Sequence, residues 1–263
     1  MDLEHAGYPA FAWRLLNNYL TETGDYDALP LLRFYSVYRA MVRAKVTAIR
    51  YTQTTEQSTQ DTILQEHFSY LQLAEHYTHK QKPLLILTYG VSGSGKTSLS
   101  HEIAQTIQAV HVRSDVERKR LSGLRALERT DKAAHASLYS EEKSRATYKR
   151  LLDVATLCIA NGLRVIVDAT FLTAESRRLF LEEGRKLHCK CRILHFHAPR
   201  EVLIERVQKR YLMGNDASEA DIAVLMLQLE KQESLTVEEE KITIRINTAE
   251  AIDVGDVVNK VMS

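Results

Sequence analysis

The run Gly90-Val91-Ser92-Gly93-Ser94-Gly95-Lys96-Thr97 places glycines, one lysine and one hydroxyl at the spacing Gly-x4-Gly-Lys-Ser/Thr. The chemistry this suits is the binding of a polyphosphate. Glycines let consecutive backbone N–H groups curl around an anion, and a helix N-terminus adds partial positive charge. Lys96 has the reach to meet β- and γ-phosphates, and the Thr97 hydroxyl is of the type that ligates Mg²⁺. The expected nucleotide contacts are therefore Gly90, Ser92, Gly93, Ser94, Gly95, Lys96, Thr97 and Ser98.

Two carboxylates stand where such a site would need them. Asp115 lies in Ser114-Asp-Val-Glu-Arg118, directly after an apolar run, and Arg118 follows it by three positions. A carboxylate there can orient an acceptor hydroxyl for in-line attack or take its proton. Ser114 and Glu117 have capping-box spacing, so the helix is expected to open at Asp115. Asp168 closes the run Val165-Ile-Val-Asp168, where it can hold Mg²⁺ opposite Thr97. Ala169 follows it, in the place where a hydrolysing ATPase usually carries a glutamate. That departure points to transfer onto an acceptor other than water. Arg206 and Arg210 are one helical turn apart and precede Gly214-Asn-Asp-Ala-Ser218. They read as cations of a lid that closes over the triphosphate. His195 and His197 alternate along a strand end and read as packing and rim residues rather than metal ligands.

These groups need a frame, and the text supplies one. After Pro83, short apolar strands are predicted at Leu84–Thr88, Val110–Arg113, Arg164–Val167, Arg192–His195 and Ile242–Ile246, separated by helices. That alternation predicts an α/β fold: a five-stranded parallel sheet flanked by helices, with ligands at the carboxyl ends of the strands. The helix after the glycine loop is expected over Ser98 to Gln108, and the last near Asp256. Before Pro83 the pattern is helical throughout. One helix is expected from Phe11 to Leu20 and another from Pro30 to Tyr51, whose residues Leu31, Tyr35, Tyr38, Val42, Val46 and Ile49 recur as one apolar face. Arg33, Arg39, Arg43, Lys45 and Arg50 occupy its other faces as a solvated surface. A third helix, capped by Thr59 or Asp61, carries Ile63, Leu64, Phe68, Leu71 and Ala74. The expected organisation is thus a helical segment over 1–82 and a nucleotide-binding domain over 83–263.

Bulk properties narrow the partners. Among 263 residues, 35 Lys+Arg against 34 Asp+Glu leave a net charge of +1, so no global basic field recruits nucleic acid or membrane. The three cysteines, Cys158, Cys189 and Cys191, suit buried thiols in a reducing compartment. Asp2 and Glu4 sit in an N-terminus without the apolar core of a signal peptide, and no apolar run reaches membrane-spanning length. A cytoplasmic protein is expected.

From Pro83 onward the chain resembles the small P-loop kinases that include the kinase domain of phage polynucleotide kinase, gluconate kinase and chloramphenicol phosphotransferase. The shared elements are Gly90–Thr97, Asp115 with Arg118, Asp168-x-Thr170 followed by Arg177, and the pair Arg206/Arg210. The resemblance implies that Asp115 faces the acceptor hydroxyl, Arg118 binds the substrate and Arg210 is the lid arginine. A similarity over nearly the whole chain is to the bacterial bifunctional aminoglycoside phosphotransferase/ATP-binding protein group. It rests on Leu15-Leu-Asn-Asn-Tyr-Leu, Thr23-Gly-Asp-Tyr, Arg33-Phe-Tyr-Ser-Val-Tyr-Arg39, Val42-Arg-Ala-Lys-Val46 and Asp216-Ala-Ser-Glu-Ala220. The N-terminal helices resemble the tail of that group's first domain. No His-Gly-Asp catalytic loop precedes them, so aminoglycoside phosphorylation is not expected of this chain.

The reading that results is a phosphotransferase using ATP and Mg²⁺ on a hydroxyl of a small molecule or nucleotide. A nucleotide-operated ATPase or switch acting on a partner protein is the first alternative. A nucleic-acid end kinase is the second, permitted by Arg113, Arg118, Lys119, Arg120, Arg125 and Arg129. The N-terminal helices are expected to pack on each other and to leave an apolar patch that favours self-association.

Overall fold

The computed structural model describes residues 1–79, 81–128, 130, 138, 140–213 and 216–263. Its centre is a five-stranded parallel sheet in the order β2-β3-β1-β4-β5. The strands are β1 (Leu84–Tyr89), β2 (Ala109–Arg113), β3 (Arg164–Asp168), β4 (Lys190–His197) and β5 (Thr243–Asn247). Strands β1 to β4 contain the apolar runs that predicted them, and β5 is shifted by one residue from the predicted Ile242–Ile246. The helices are α1 (Asp2–His5), α2 (Pro9–Thr23), α3 (Leu29–Gln53), α4 (Gln57–Thr78), α5 (Lys96–Thr106), α6 (Ser114–Arg120), α7 (Glu141–Ala160), α8 (Ala174–Lys186), α9 (Arg200–Met213), α10 (Ile222–Lys231), α11 (Val237–Glu240) and α12 (Val254–Met262).

Strand alternation sends side chains into two cores. Leu85, Leu87, Val110, Val112, Val165 and Val167 face one cluster with Leu151 and Val154 of α7 and Phe180 of α8. Leu84, Ile86, Ile166, Leu194 and Phe196 face the other, with Ile103 of α5 and Val257 and Val261 of α12. Because both faces of the sheet are covered, the central strands are apolar throughout instead of alternating with polar residues.

The N-terminal helices do more than pair with each other. Trp13 and Leu20 of α2, with Tyr26 and Leu29, belong to the same core as the sheet. Buried Asn17 of α2 donates to the carbonyl of Ala109 at 3.0 Å and accepts from the N–H of His111 at 2.9 Å. Since β2 is the outer strand, this one amide occupies backbone groups that an edge would otherwise leave open. Helices α3 and α4 meet through small residues. Ala40, Ala44 and Thr47 are buried on α3 against Ile63, Tyr70 and Ala74 on α4.

The expected apolar face of α3 is not the one that packs. Leu31, Tyr35, Tyr38, Val46 and Ile49 are exposed, as are Phe34 and Met41. Periodicity found a stripe, but close helix approach selected the alanine side. Two start points also differ. Helix α4 begins at Gln57, ahead of Thr59 and Asp61, and the Thr59 hydroxyl donates instead to the Glu56 carboxylate at 2.7 Å. Helix α5 begins at Lys96, because Gly95 at φ 80° turns the chain straight into it. Among the described residues, no helix is long and apolar enough to cross a membrane.

Candidate active site

At the carboxyl end of β1, Gly90 to Gly95 form a tight loop, and two glycines there are required by space. Gly90 has φ 144°, and a Cβ on it would lie 2.3 Å from the backbone oxygen of Phe196. Gly93 has φ 82°, and a Cβ would meet the backbone oxygen of Leu203 at 2.8 Å. The second contact seats α9, the helix of Arg206 and Arg210, directly on the loop. The first amides of α5, those of Lys96 and Thr97, have no carbonyl one turn back to bond and are the natural anion donors.

Lys96 is buried, and its ammonium donates to the carbonyl of Val91 at 2.7 Å, folded onto its own loop. Burial pushes its pKa down to about 8, Arg210 adds to the fall, and the charges of Asp168 and Asp115 oppose it. All four groups line one cleft of about 240 Å³, with Ser92, Thr97, Arg118 and Thr170.

Asp168, at the end of β3, is also buried. Burial favours its neutral form, but His111, then Arg113 and Lys96, outweigh that and hold its pKa down at about 2. His111 Nε2 lies 3.3 Å from Asp168 Oδ2, near enough for ionic contact, yet each of these buried atoms lacks a hydrogen-bond partner. A buried, ionised carboxylate that lines the same cleft as the Thr97 hydroxyl is a donor set that suits a hydrated Mg²⁺. Among the described residues no group of three or more His, Cys, Asp or Glu side chains is arranged to hold a metal ion.

Asp115 lies at the start of α6 and lines the same cleft, and its carboxylate accepts from Arg118 at 3.0 Å. The arginine therefore orients the carboxylate as well as offering charge to a ligand. The capping box expected here is absent. The helix starts at Ser114 with no side-chain cap, and Glu117 turns inward, fully buried. It accepts from Tyr26 at 3.2 Å and Arg120 at 3.2 Å, and Arg150 stands 3.6 Å away. A glutamate three residues after a serine found a stronger set of partners in the tertiary fold.

The two α9 arginines separate. Arg210 lines the cleft. Arg206 is tied to Thr248, donating to its hydroxyl at 2.8 Å and its carbonyl at 2.7 Å, and is not among the cleft-lining residues. As placed here it braces α9 against the loop after β5, and the nucleotide contact expected of it is not part of the cleft. Gly214 and Asn215 of the expected lid loop lie outside the described residues. Asp216 receives Arg113 at 3.1 Å.

Arg177 is fully buried away from the cleft. It makes a bidentate pair with Glu239 at 2.8 and 3.1 Å and donates to the carbonyls of Phe171 and Ser234. Glu239 in turn completes a capping box with Thr236 at the start of α11. His195 packs on Tyr89 with ring centres 4.6 Å apart, and burial pushes its pKa down to about 4, with the charges of His197, Arg245 and Arg177 adding to the fall.

Other residues complete the cleft. Ser144 and Tyr148, one turn apart on α7, face it together with Thr170, and the Tyr148 hydroxyl accepts from the Phe171 N–H at 3.3 Å. Gln228 and Lys231 of α10 close the other side, and Gln228 accepts from the Ser92 N–H at 2.7 Å. Gln228 is far from the loop in sequence, so no local motif marks it. The basic cluster around α6 is largely consumed internally. Buried Lys119 pairs with Glu219 at 2.8 Å, and Arg120 donates to Thr21 at the end of α2. Arg129 lies outside the described residues.

Comparison with known proteins places this geometry. A family model described as AAA domain matches residues 85–235, more than half of the chain. An uncharacterized protein of Mycobacterium tuberculosis (strain H37Rv) is 27% identical over 226 residues, covering 86% of this chain and 44% of its own. The chain thus spans less than half the length of the curated relatives it matches. A Chloroflexus aurantiacus structure assigned as a kinase is 21% identical with a TM-score of 0.53, covering 69% of this chain and 98% of its own. Kti12 of Chaetomium thermophilum, solved with ADP-AlF3, is 14% identical with a TM-score of 0.52, covering 68% and 97%. At these identities the likeness is one of fold, the parallel sheet flanked by helices.

Proposed function

We propose that this chain, which belongs to the AAA domain family, is an ATP-dependent kinase that moves the γ-phosphoryl group of MgATP to a hydroxyl of a small molecule or nucleotide. The observation that carries the reading is the composition of one cleft. A phosphate loop with its lysine, a buried and ionised Asp168, and an Asp115/Arg118 pair all open into it. Hydrolysis alone would not need the second carboxylate in the cleft.

Each group has a part. The loop amides and Lys96 bind the phosphates. Thr97 and Asp168 would hold Mg²⁺, which when bound neutralises phosphate charge. Asp115 accepts the proton of the acceptor hydroxyl as its oxygen attacks the γ-phosphorus in line. The bond from that phosphorus to the β–γ bridging oxygen breaks, and ADP leaves. Arg118 keeps the Asp115 carboxylate aimed, and Arg210 meets the charge of the transferring group. Ser144, Tyr148 and Thr170 give the acceptor side hydroxyl partners. The nucleotide chemistry of Kti12, ADP with AlF3, is of the class this cradle fits. Membership of the bifunctional aminoglycoside phosphotransferase/ATP-binding protein group is part of this proposal and names no acceptor.

Purified protein incubated with MgATP and sets of hydroxylated metabolites and nucleosides is expected to release ADP only when its acceptor is present. Release at the same rate without any acceptor would replace the kinase with a nucleotide-operated switch. The near-neutral charge and the internal pairing of Lys119 and Arg120 disfavour an oligonucleotide as acceptor.

A further inference from the structure

A second cavity lies at the other end of the sheet. Gln81, Gln108 and Leu163, which precede the first residues of β1, β2 and β3, line it, whereas the phosphate cleft is at the carboxyl ends of those strands. It measures about 420 Å³ against about 240 Å³ for the cleft. Its remaining walls come from the N-terminal helices α1 to α4 and from Ala160 and Asn161 at the end of α7, so it forms where the N-terminal helices meet the nucleotide-binding body.

Its chemistry is mixed in the manner of a ligand site: apolar walls and a few converging polar groups. Trp13, Leu16, Leu29, Leu32 and Leu163 supply the apolar surface. Arg33 lines it with no ion-pair or hydrogen-bond partner among the described residues. The lining carboxylate, Glu4, is already engaged by the Tyr77 hydroxyl. Gln81 donates through its amide nitrogen to Gln108 at 3.1 Å, while its Oε1 is buried without a partner. An apolar floor with the Arg33 guanidinium in its lining suits a molecule with an apolar body and a carboxylate.

We propose that this cavity is a binding site for an apolar carboxylic acid, separate from the phosphate cleft and independent of the reaction carried out there. Trp13 is the only tryptophan of the chain and forms part of the wall, so its emission reports occupancy. The probe is 3-cyclohexylpropionate, which is transparent at the excitation wavelength, and its control is the neutral 3-cyclohexylpropanamide. The acid is expected to change Trp13 emission saturably at concentrations below about 10 mM, with the amide weaker by about tenfold. Arg33→Gln should lower affinity for the acid by a similar factor while leaving its affinity for an ATP analogue unchanged. The amide comparison uses the native chain, so the test survives even a misfolded variant. No saturable change with the acid, equal binding of acid and amide, or undiminished binding by Arg33→Gln would each overturn the proposal.

Discussion

Lys96 lies buried between a backbone carbonyl it already contacts and two carboxylates, with Arg210 opposing its charge. Its pKa of about 8 in the free protein, against 10.5 in an exposed lysine, has two consequences with defined signs. Phosphate binding requires the ammonium, so above about pH 8 the free protein must regain a proton to bind. Affinity for an ATP analogue is expected to fall by up to about tenfold per pH unit above that point. Titrations at pH 7 and pH 9.5 check this, and equal affinities would show that Lys96 does not meet phosphate. Stability moves the other way: between about 8 and 10.5 the unfolded chain holds the extra proton, so the Lys96 contribution improves as pH rises. The two carboxylates should separate in the same assay. Asp115→Asn is expected to keep nucleotide affinity and lose about a hundredfold or more in transfer, the scale of a missing general base. Asp168→Asn is expected to weaken nucleotide binding and its Mg²⁺ dependence together. Full turnover by Asp115→Asn on the true acceptor would remove that residue from the active site.

At the scale of elements, one side chain joins two parts of the chain. Asn17 of α2 completes the outer edge of β2, the strand that carries His111 and leads into Asp115. Asn17→Leu leaves a buried carbonyl and a buried N–H without partners, and a loss of about 1–3 kcal/mol is expected from denaturant unfolding. A change within about 0.3 kcal/mol, the level of an ordinary surface substitution, would mean that the edge is satisfied in another way. The α3 stripe teaches the complementary lesson. Its large residues have the spacing of a buried face, yet the side that packs carries Ala40, Ala44 and Thr47. Small side chains let α4 approach closely, and His67 there reaches the Ala44 carbonyl at 2.9 Å.

For the whole molecule, the division near Pro83 marks a change of pattern rather than a break in the core. Trp13, Leu20, Tyr26 and Leu29 fill the same cluster as β1, β2 and β3, and Tyr26 also bonds buried Glu117 on the helix of Asp115. A chain beginning at Gln81 exposes apolar surface worth about 1.5–3 kcal/mol for each large side chain it loses and should fail to fold stably. Cooperative unfolding and nucleotide binding retained by the shortened chain would disprove this. The intact chain is expected to gain thermal stability from an ATP analogue with Mg²⁺, and less without the metal, since a ligand of the native state alone raises stability. Calorimetric scans with and without Mg²⁺ provide the measurement.

Sequence by itself determined the phosphate loop, the strand that feeds it, the parallel α/β class and the position of both carboxylates after their strands. These rest on local physics: glycine freedom at Gly90 and Gly93, apolar runs of strand length, and the rule that ligands sit at strand ends. Helix ends were legible less well, because Glu117 and Glu56 could bond more than one way. The resemblance already implied Arg210 for the lid, and tertiary structure alone decided that Arg206 would be held by Thr248. It also decided that Arg177 would be a buried staple, and that Gln228 would reach Ser92. Those outcomes depend on partners far away in the chain, and a charged side chain goes wherever its desolvation is best compensated. No spacing rule along one strand or helix records where that is.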